Sequence, residues 1–80
     1  MIKNKIKINS ISIVGLGYVG LPLALEFGKK YKTIGVDLSI SKIKKYKKKI
    51  DPAGEISSNI FNKSKHIYFT NKIRDIRDSD

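Results

Sequence analysis

Six consecutive residues near the start of the chain have the types and the spacing that can hold a phosphate group. Residues 15–20 are Gly-Leu-Gly-Tyr-Val-Gly and match the pattern G-x-G-x-x-G. Gly15 permits a tight turn out of a strand, Gly17 lets a pyrophosphate approach the main chain, and Gly20 lets a helix lie near that strand. Main-chain N–H groups and the positive end of the helix dipole then face the phosphates. The pattern predicts a dinucleotide site with six candidate residues: Gly15, Leu16, Gly17, Tyr18, Val19 and Gly20.

A carboxylate and a lysine follow at positions that suit the rest of a dinucleotide. Asp37 ends a β-branched run twenty residues after Gly17, where a carboxylate can accept hydrogen bonds from the hydroxyls of a ribose. The same carboxylate would repel a 2′-phosphate, so NAD is favoured over NADP as the cofactor. Lys42 has two interpretations, a contact with the adenine side of the ligand or a solvated helix lysine. Tyr18 likewise either shields the pyrophosphate or covers the sheet.

Short β-branched runs alternate along the chain with segments of helical periodicity. Strands are predicted at residues 10–14, 33–37 and 66–70, helices at 21–31 and 41–50, and a helical turn at 56–61. Pro22 is compatible with the first helix if that helix starts near Gly17 or Tyr18, because the N–H that proline lacks has no partner in a first turn. This order predicts an α/β fold, the N-terminal half (β-α-β-α-β) of a Rossmann-type doubly wound parallel sheet.

Each of the two predicted helices has one apolar face. In the first helix the apolar positions are Leu21, Leu23, Ala24, Leu25 and Phe27. In the second helix, which Ser39 or Ser41 can cap, they are Ile40, Ile43, Tyr46 and Ile50. We expect both faces to pack on the sheet, and a turn at residues 51–54 to end the second helix.

The composition excludes several classes of protein. The 80 residues contain no cysteine, so a disulfide framework and a thiolate metal site are excluded, and no metal ligand is assigned. No apolar run approaches the roughly 20 residues of a membrane span. The formal net charge is +10, but 15 of the 17 cations are lysine, whereas nucleic-acid recognition favours arginine. We therefore expect a cytoplasmic protein with no nucleic-acid or membrane partner.

One stretch is far more specific than the glycine pattern alone. Residues 12–24, Ser-Ile-Val-Gly-Leu-Gly-Tyr-Val-Gly-Leu-Pro-Leu-Ala, resemble the opening of the UDP-glucose/GDP-mannose dehydrogenase family. The resemblance spans nearly the whole chain and continues through residues 26–28, 36–37 and 41–50. One branch of this family, which includes the Vi-polysaccharide type, oxidises UDP-N-acetylhexosamines for bacterial surface polysaccharides. The sequence is similar to that branch at residues 51–55, 66–70 and 75–80.

This resemblance implies an NAD-dependent nucleotide-sugar 6-dehydrogenase. Such an enzyme oxidises the C6 alcohol of a UDP-sugar, here a UDP-N-acetylhexosamine or UDP-glucose, to the uronic acid. The resemblance places residues 15–20 on the pyrophosphate, Asp37 on the ribose and Lys42 beside the adenosine. The family's catalytic cysteine, its assisting lysine and asparagine, and its UDP-sugar domain lie beyond the matched positions, so no catalytic residue is assigned here. Full-length members commonly form homodimers.

The resemblance also implies that the chain is part of a longer enzyme. Residues 1–80 are then a partial NAD-binding Rossmann domain with a flexible start at residues 1–9, and the rest of the domain is missing. Because the first strand is central in the usual Rossmann order, its loss of a neighbour leaves an aggregation-prone edge. We expect the 80 residues alone to be at best marginally folded and catalytically inactive.

Two other functions fit parts of the sequence. A non-enzymatic NAD-sensing regulatory Rossmann module would use the same glycine turn and the same acidic ribose acceptor. A lysine-rich nucleic-acid binder would use the net charge, and its affinity would fall steeply as salt rises. The Leu-Pro-Leu-Ala continuation at residues 21–24 favours the sugar dehydrogenases over the sensor.

Overall fold

The computed structural model describes residues 10–78, and the flexible start predicted for residues 1–9 lies outside them. Strands and helices alternate in the predicted order. The elements are β1 (Ile11–Val14), α1 (Gly20–Phe27), β2 (Thr33–Val36), α2 (Ile40–Lys47), α3 (Ser58–Lys63), β3 (Ile67–Thr70) and a final 3-10 helix (Ile73–Asp78). The 3-10 helix was not predicted, because two isoleucines among charged residues are too few to indicate a helix.

The three strands form one parallel sheet in the order β1-β2-β3. Ile13 of β1 pairs with Gly35 of β2, and Gly35 pairs with Phe69 of β3. All four residues of β2 are buried, as expected of a parallel strand covered on both faces. The parallel order with intervening helices confirms the predicted Rossmann-type α/β half-domain.

The core lies between the sheet and the helices. Its most buried side chains include Leu16, Ala24 and Leu25, each at most 1% exposed. Gly35 admits Leu16 to the centre of this core, because a Cβ at Gly35 would lie 3.2 Å from both Leu16 and Phe69. The residue between the first two glycines of the turn is therefore a core anchor as well as part of the turn.

Helix α1 begins at Gly20, between the start near Gly17 or Tyr18 that Pro22 suggested and the predicted bound at residue 21, and it ends earlier than predicted. Its N-cap is Val19, so Pro22 occupies the third helical position, where the missing N–H would have no partner. The helix ends at Phe27 because Gly28 follows as its C-cap, and any Cβ at Gly28 would overlap the Ser64 hydroxyl. The expectation that Leu23 packs on the sheet is wrong, since this side chain is 43% exposed.

Helix α2 is capped as predicted but is shorter. Ser39 accepts a hydrogen bond from the Lys42 N–H at 3.3 Å. The helix ends in a Schellman motif, with Lys49 in the left-handed region at φ 64° and the Ile50 N–H donating to the Lys45 carbonyl at 2.9 Å. This early end turns Ile50 away from the core.

The predicted apolar face of α2 is confirmed only at its centre. Ile43 and Tyr46 are buried, at 4% and 3% exposure. The predicted burial of Ile40 and Ile50 is wrong, because these side chains are 57% and 46% exposed. Ile40 is the first residue of the helix and Ile50 lies beyond its end, so neither shares the packed central turn. Among residues 10–78, no helix is long and apolar enough to cross a membrane.

Candidate dinucleotide site

The glycine turn leaves β1 with a sharp change of direction. Gly15 donates its N–H to the Val36 carbonyl at 2.8 Å, directly beyond the end of β1. Its φ of +90° favours glycine, because an L side chain would be strained there. At the far end of the turn, a Cβ at Gly20 would overlap the Gly15 carbonyl oxygen. Gly15 and Gly20 therefore have the geometric roles predicted for them, a tight turn and a close helix–strand approach.

The middle of the turn is open to a ligand. A Cβ built at Gly17 would meet no atom within 4 Å, so the space above this residue is free. Within residues 10–78, the N–H groups of Gly17, Tyr18, Val19 and Gly20 have no protein acceptor. Consecutive unpaired amides at the start of a helix are donors for a phosphate group.

Asp37 lies directly after β2 and reaches back to the turn. Its Oδ2 accepts a hydrogen bond from the Leu16 N–H at 3.0 Å, and its Oδ1 accepts one from the Ser39 N–H at 2.9 Å. Burial alone would raise the pKa of this carboxyl, but the Ser39 and Leu16 amides and the charge of Lys42 hold it below its ordinary value. An ionised carboxylate has about four acceptor positions, so two remain for ribose hydroxyls.

Tyr46 is a site residue, although its place in the sequence predicts only a core position on α2. Its hydroxyl donates to the Leu16 carbonyl at 2.8 Å in a buried hydrogen bond. Its ring packs against Phe69 and Phe61, with ring centroids 5.4 and 6.4 Å apart. Burial and the charges of Asp37 and Asp51 raise the pKa of Tyr46, so the hydroxyl stays protonated as a donor. No short-range signal joins two residues thirty positions apart.

A cleft of about 430 Å³ opens beside the glycine turn. It brings together four residues of the predicted site, Leu16, Gly17, Tyr18 and Lys42, with Tyr46. The predicted residues outside its lining are Gly15, Val19, Gly20 and Asp37. Tyr18 is 82% exposed, so it does not cover the sheet, and its alternative role over the pyrophosphate stays a prediction. Lys42 is exposed and also lines the cleft.

The far wall of the cleft is a loop organised by one carboxylate. Asp51 accepts hydrogen bonds from the N–H groups of Ala53, Glu55 and Ile56, at 3.0, 2.9 and 3.0 Å. Burial alone would raise its pKa, but these three amides lower the pKa below its ordinary value. The predicted turn at residues 51–54 is confirmed, and Pro52, Ala53 and Ile56 give the cleft its apolar side.

Metal-binding and acid–base sites depend on clusters of His, Asp and Glu side chains. Residues 10–78 contain no group of three or more His, Asp or Glu side chains that could hold a metal ion. His66 precedes β3 and is exposed, and its main chain joins the Gly28 carbonyl and the Thr33 N–H. The site that the geometry assembles is therefore a set of amides, one carboxylate and one lysine, suited to binding.

The sequence matches a family model and two curated proteins over most of its length. Residues 9–80 match the model of the UDP-glucose/GDP-mannose dehydrogenase family, NAD binding domain. The chain is 42% identical over 71 residues to Protein CapL of Staphylococcus aureus, covering 89% of this chain. It is 37% identical over 67 residues to the UDP-N-acetyl-D-glucosamine 6-dehydrogenase of Pseudomonas aeruginosa, covering 84% of this chain.

The solved structures that align with this chain include a UDP-sugar dehydrogenase. The structure of the UDP-D-ManNAc dehydrogenase of Pyrococcus horikoshii aligns with a TM-score of 0.69 and 28% identity, covering 88% of this chain and 18% of that one. The chain spans only 16% of the length of the curated relatives it matches. The matched part is the NAD-binding domain, so the cofactor expected from the glycine turn and Asp37 is confirmed at the level of the family.

Proposed function

This chain belongs to the UDP-glucose/GDP-mannose dehydrogenase family, and from that premise we propose that it is the NAD-binding segment of a nucleotide-sugar 6-dehydrogenase. The whole enzyme oxidises the C6 alcohol of a UDP-sugar, a UDP-N-acetylhexosamine or UDP-glucose, to the uronic acid for surface polysaccharide. The observation that carries the proposal is the open space above Gly17 beside four N–H groups without a protein acceptor in residues 10–78.

The residues of the turn and of the two following elements divide the work of binding. The N–H groups from Gly17 to Gly20 donate to the diphosphate, and the dipole of α1 favours its negative charge. Asp37 accepts from the ribose hydroxyls with its free lone pairs, and Lys42 adds positive charge on the adenosine side. The Tyr18 side chain flanks the diphosphate. NAD, when bound, supplies the hydride acceptor for the alcohol oxidation.

Catalysis is assigned to residues that this chain does not contain. The family's reaction needs a cysteine thiol, and the 80 residues contain no cysteine. We therefore expect the 80 residues alone to bind cofactor without oxidising a UDP-sugar. A homodimeric whole enzyme and a cytoplasmic location stay predictions.

The names of the matched relatives favour the enzyme over the sensing module and the nucleic-acid binder. The two curated relatives and the solved structure span α1, β2 and the loop at residues 51–56 as well as the glycine turn, since each covers more than four-fifths of this chain. A likeness confined to the glycine turn would have fitted any dinucleotide-binding protein.

The proposal is tested by the substitution Gly17→Val in the complete polypeptide that its gene encodes. The space around Gly17 accommodates the new side chain, and its φ is not positive, so the fold is retained. The isopropyl group then occupies the position of the diphosphate, and NAD affinity falls at least about tenfold. Isothermal titration measures the affinity, and circular dichroism checks the fold.

The matched control is Ser58→Val, an exposed change outside the cleft lining. It leaves NAD affinity unchanged. Unaltered NAD binding by a folded Gly17→Val protein would remove the glycine turn from the site.

A further inference from the structure

Leu16 is held from three directions. The Leu16 side chain is fully buried in the core. Its N–H donates to Asp37 Oδ2 at 3.0 Å, and its carbonyl accepts from the Tyr46 hydroxyl at 2.8 Å. Leu16 is thus fixed by Asp37 at the end of β2, by Tyr46 on α2 and by its own packing in the core.

Fixing this carbonyl also fixes the neighbouring N–H. The Leu16 carbonyl and the Gly17 N–H belong to one planar trans peptide, in which C=O and N–H point in opposite directions. Because Tyr46 holds the carbonyl inward, the Gly17 N–H is directed outward, to the side where a Cβ at Gly17 would meet no atom. The Tyr46 hydroxyl, on helix α2, therefore sets the direction of the Gly17 N–H, the first of the phosphate donors.

We propose that Tyr46 is a positioning residue for cofactor binding: its hydroxyl orients the Leu16–Gly17 peptide so that the Gly17 N–H points at the diphosphate. This inference rests on the proposed function, since it assumes that the turn binds a diphosphate. It assigns Tyr46 no contact with the ligand. The ring of Tyr46 is a separate, structural part of the side chain, because it packs against Phe61 and Phe69.

The substitution Tyr46→Phe separates these two parts. It removes the hydroxyl and keeps the ring in its contacts with Phe69 and Phe61. We expect the affinity of the complete polypeptide for NAD to fall about tenfold, because one hydrogen bond to a charged phosphate is misdirected. The affinity for adenosine, which has no phosphate, stays within about twofold. Ligand-observed nuclear magnetic resonance measures both constants.

The matched control is Tyr68→Phe, which removes the same atom from a half-exposed tyrosine outside the cleft lining. It leaves both affinities unchanged. An unchanged NAD affinity in Tyr46→Phe would overturn the inference, and so would a loss of NAD and adenosine binding together, which marks a role in the fold alone. Failure of the unsubstituted protein to bind NAD would instead overturn the proposed function.

Discussion

At the scale of single residues, Asp37 has two roles, and the sequence predicts only the first of them. Its position after β2 predicts a ribose acceptor, and the structure adds hydrogen bonds to the Leu16 and Ser39 N–H groups. The first bond joins Asp37 to the glycine turn and the second begins the capping segment of α2. Loss of the carboxylate therefore removes a ligand contact and loosens the turn that presents the other contacts.

This double role gives a prediction for Asp37→Ala in the complete polypeptide. NAD affinity falls about tenfold to a hundredfold, because hydrogen bonds to a charged group are lost. NADP affinity falls less, because the repulsion of its 2′-phosphate is lost as well. The ratio of NAD affinity to NADP affinity therefore becomes smaller. Titrations with both cofactors measure the two constants.

The matched control is Asp75→Ala, which removes the carboxylate that accepts from the Thr70 hydroxyl at 2.7 Å after β3. It leaves the preference between the cofactors unchanged. An Asp37→Ala protein with the affinity and preference of the original would show that Asp37 is not part of the site.

At the scale of elements, the end of α2 determines which apolar side chains reach the core. The Schellman motif requires a left-handed residue at Lys49, with φ 64°, a conformation that costs a side chain of L configuration about 1–2 kcal/mol. The chain uses lysine where glycine is usual. The motif ends the helix before Ile50 and starts the loop that Asp51 organises as a wall of the cleft.

Lys49→Gly is therefore expected to stabilise the fold. The relief of the left-handed strain exceeds the extra entropy of glycine in the unfolded chain, so the free energy of unfolding rises by about 0.5–1 kcal/mol. Hydrogen exchange at the α2 amides of the complete polypeptide measures this change.

The substitution also removes the hydrogen bond from Lys49 Nζ to Asn62. Asn62→Ala removes that bond without changing the backbone and serves as the control. A Lys49→Gly chain less stable than the Asn62→Ala chain would show that the left-handed residue is not strained.

At the scale of the whole molecule, the sheet is one half of a Rossmann fold. In the described residues β1 pairs only with β2, although the first strand is central in the usual order. Apolar side chains near this edge are exposed, with Val14 at 58% and Val19 at 77%. At the opposite edge of the sheet, Lys47 of α2 lies over the ring of Tyr68 in β3, with its Nζ 5.6 Å from the ring centroid. An edge with a lysine is better protected from pairing with another chain than an apolar edge.

We therefore expect the isolated 80-residue polypeptide to associate through β1 and to melt without a sharp transition. Val14→Lys places a charge beside that edge and shifts the sample toward monomer, whereas Tyr68→Lys on β3 leaves the association unchanged. Analytical ultracentrifugation measures both. A monomeric chain with a cooperative melting transition would contradict the expectation.

The sequence by itself determined the local features of this protein and, through them, its architecture. The glycines of residues 15–20, Pro22 in a first turn and the alternation of β-branched and helical segments depend on backbone conformation within a few residues, which residue type controls directly. The placement of Asp37 at a strand end follows from the same local pattern. These features suffice for the parallel order and for the cofactor.

Only the tertiary structure decided which groups fix the site. The hydrogen bonds from Leu16 to Asp37 and Tyr46 join residues 21 and 30 positions apart, and no local pattern encodes a contact between separate elements. The exposure of Ile40 and Ile50 was equally hidden, because periodicity predicts a helix face but does not predict where the helix begins and ends. Packing across elements sets both, so the direction of the Gly17 N–H is a property of the folded molecule.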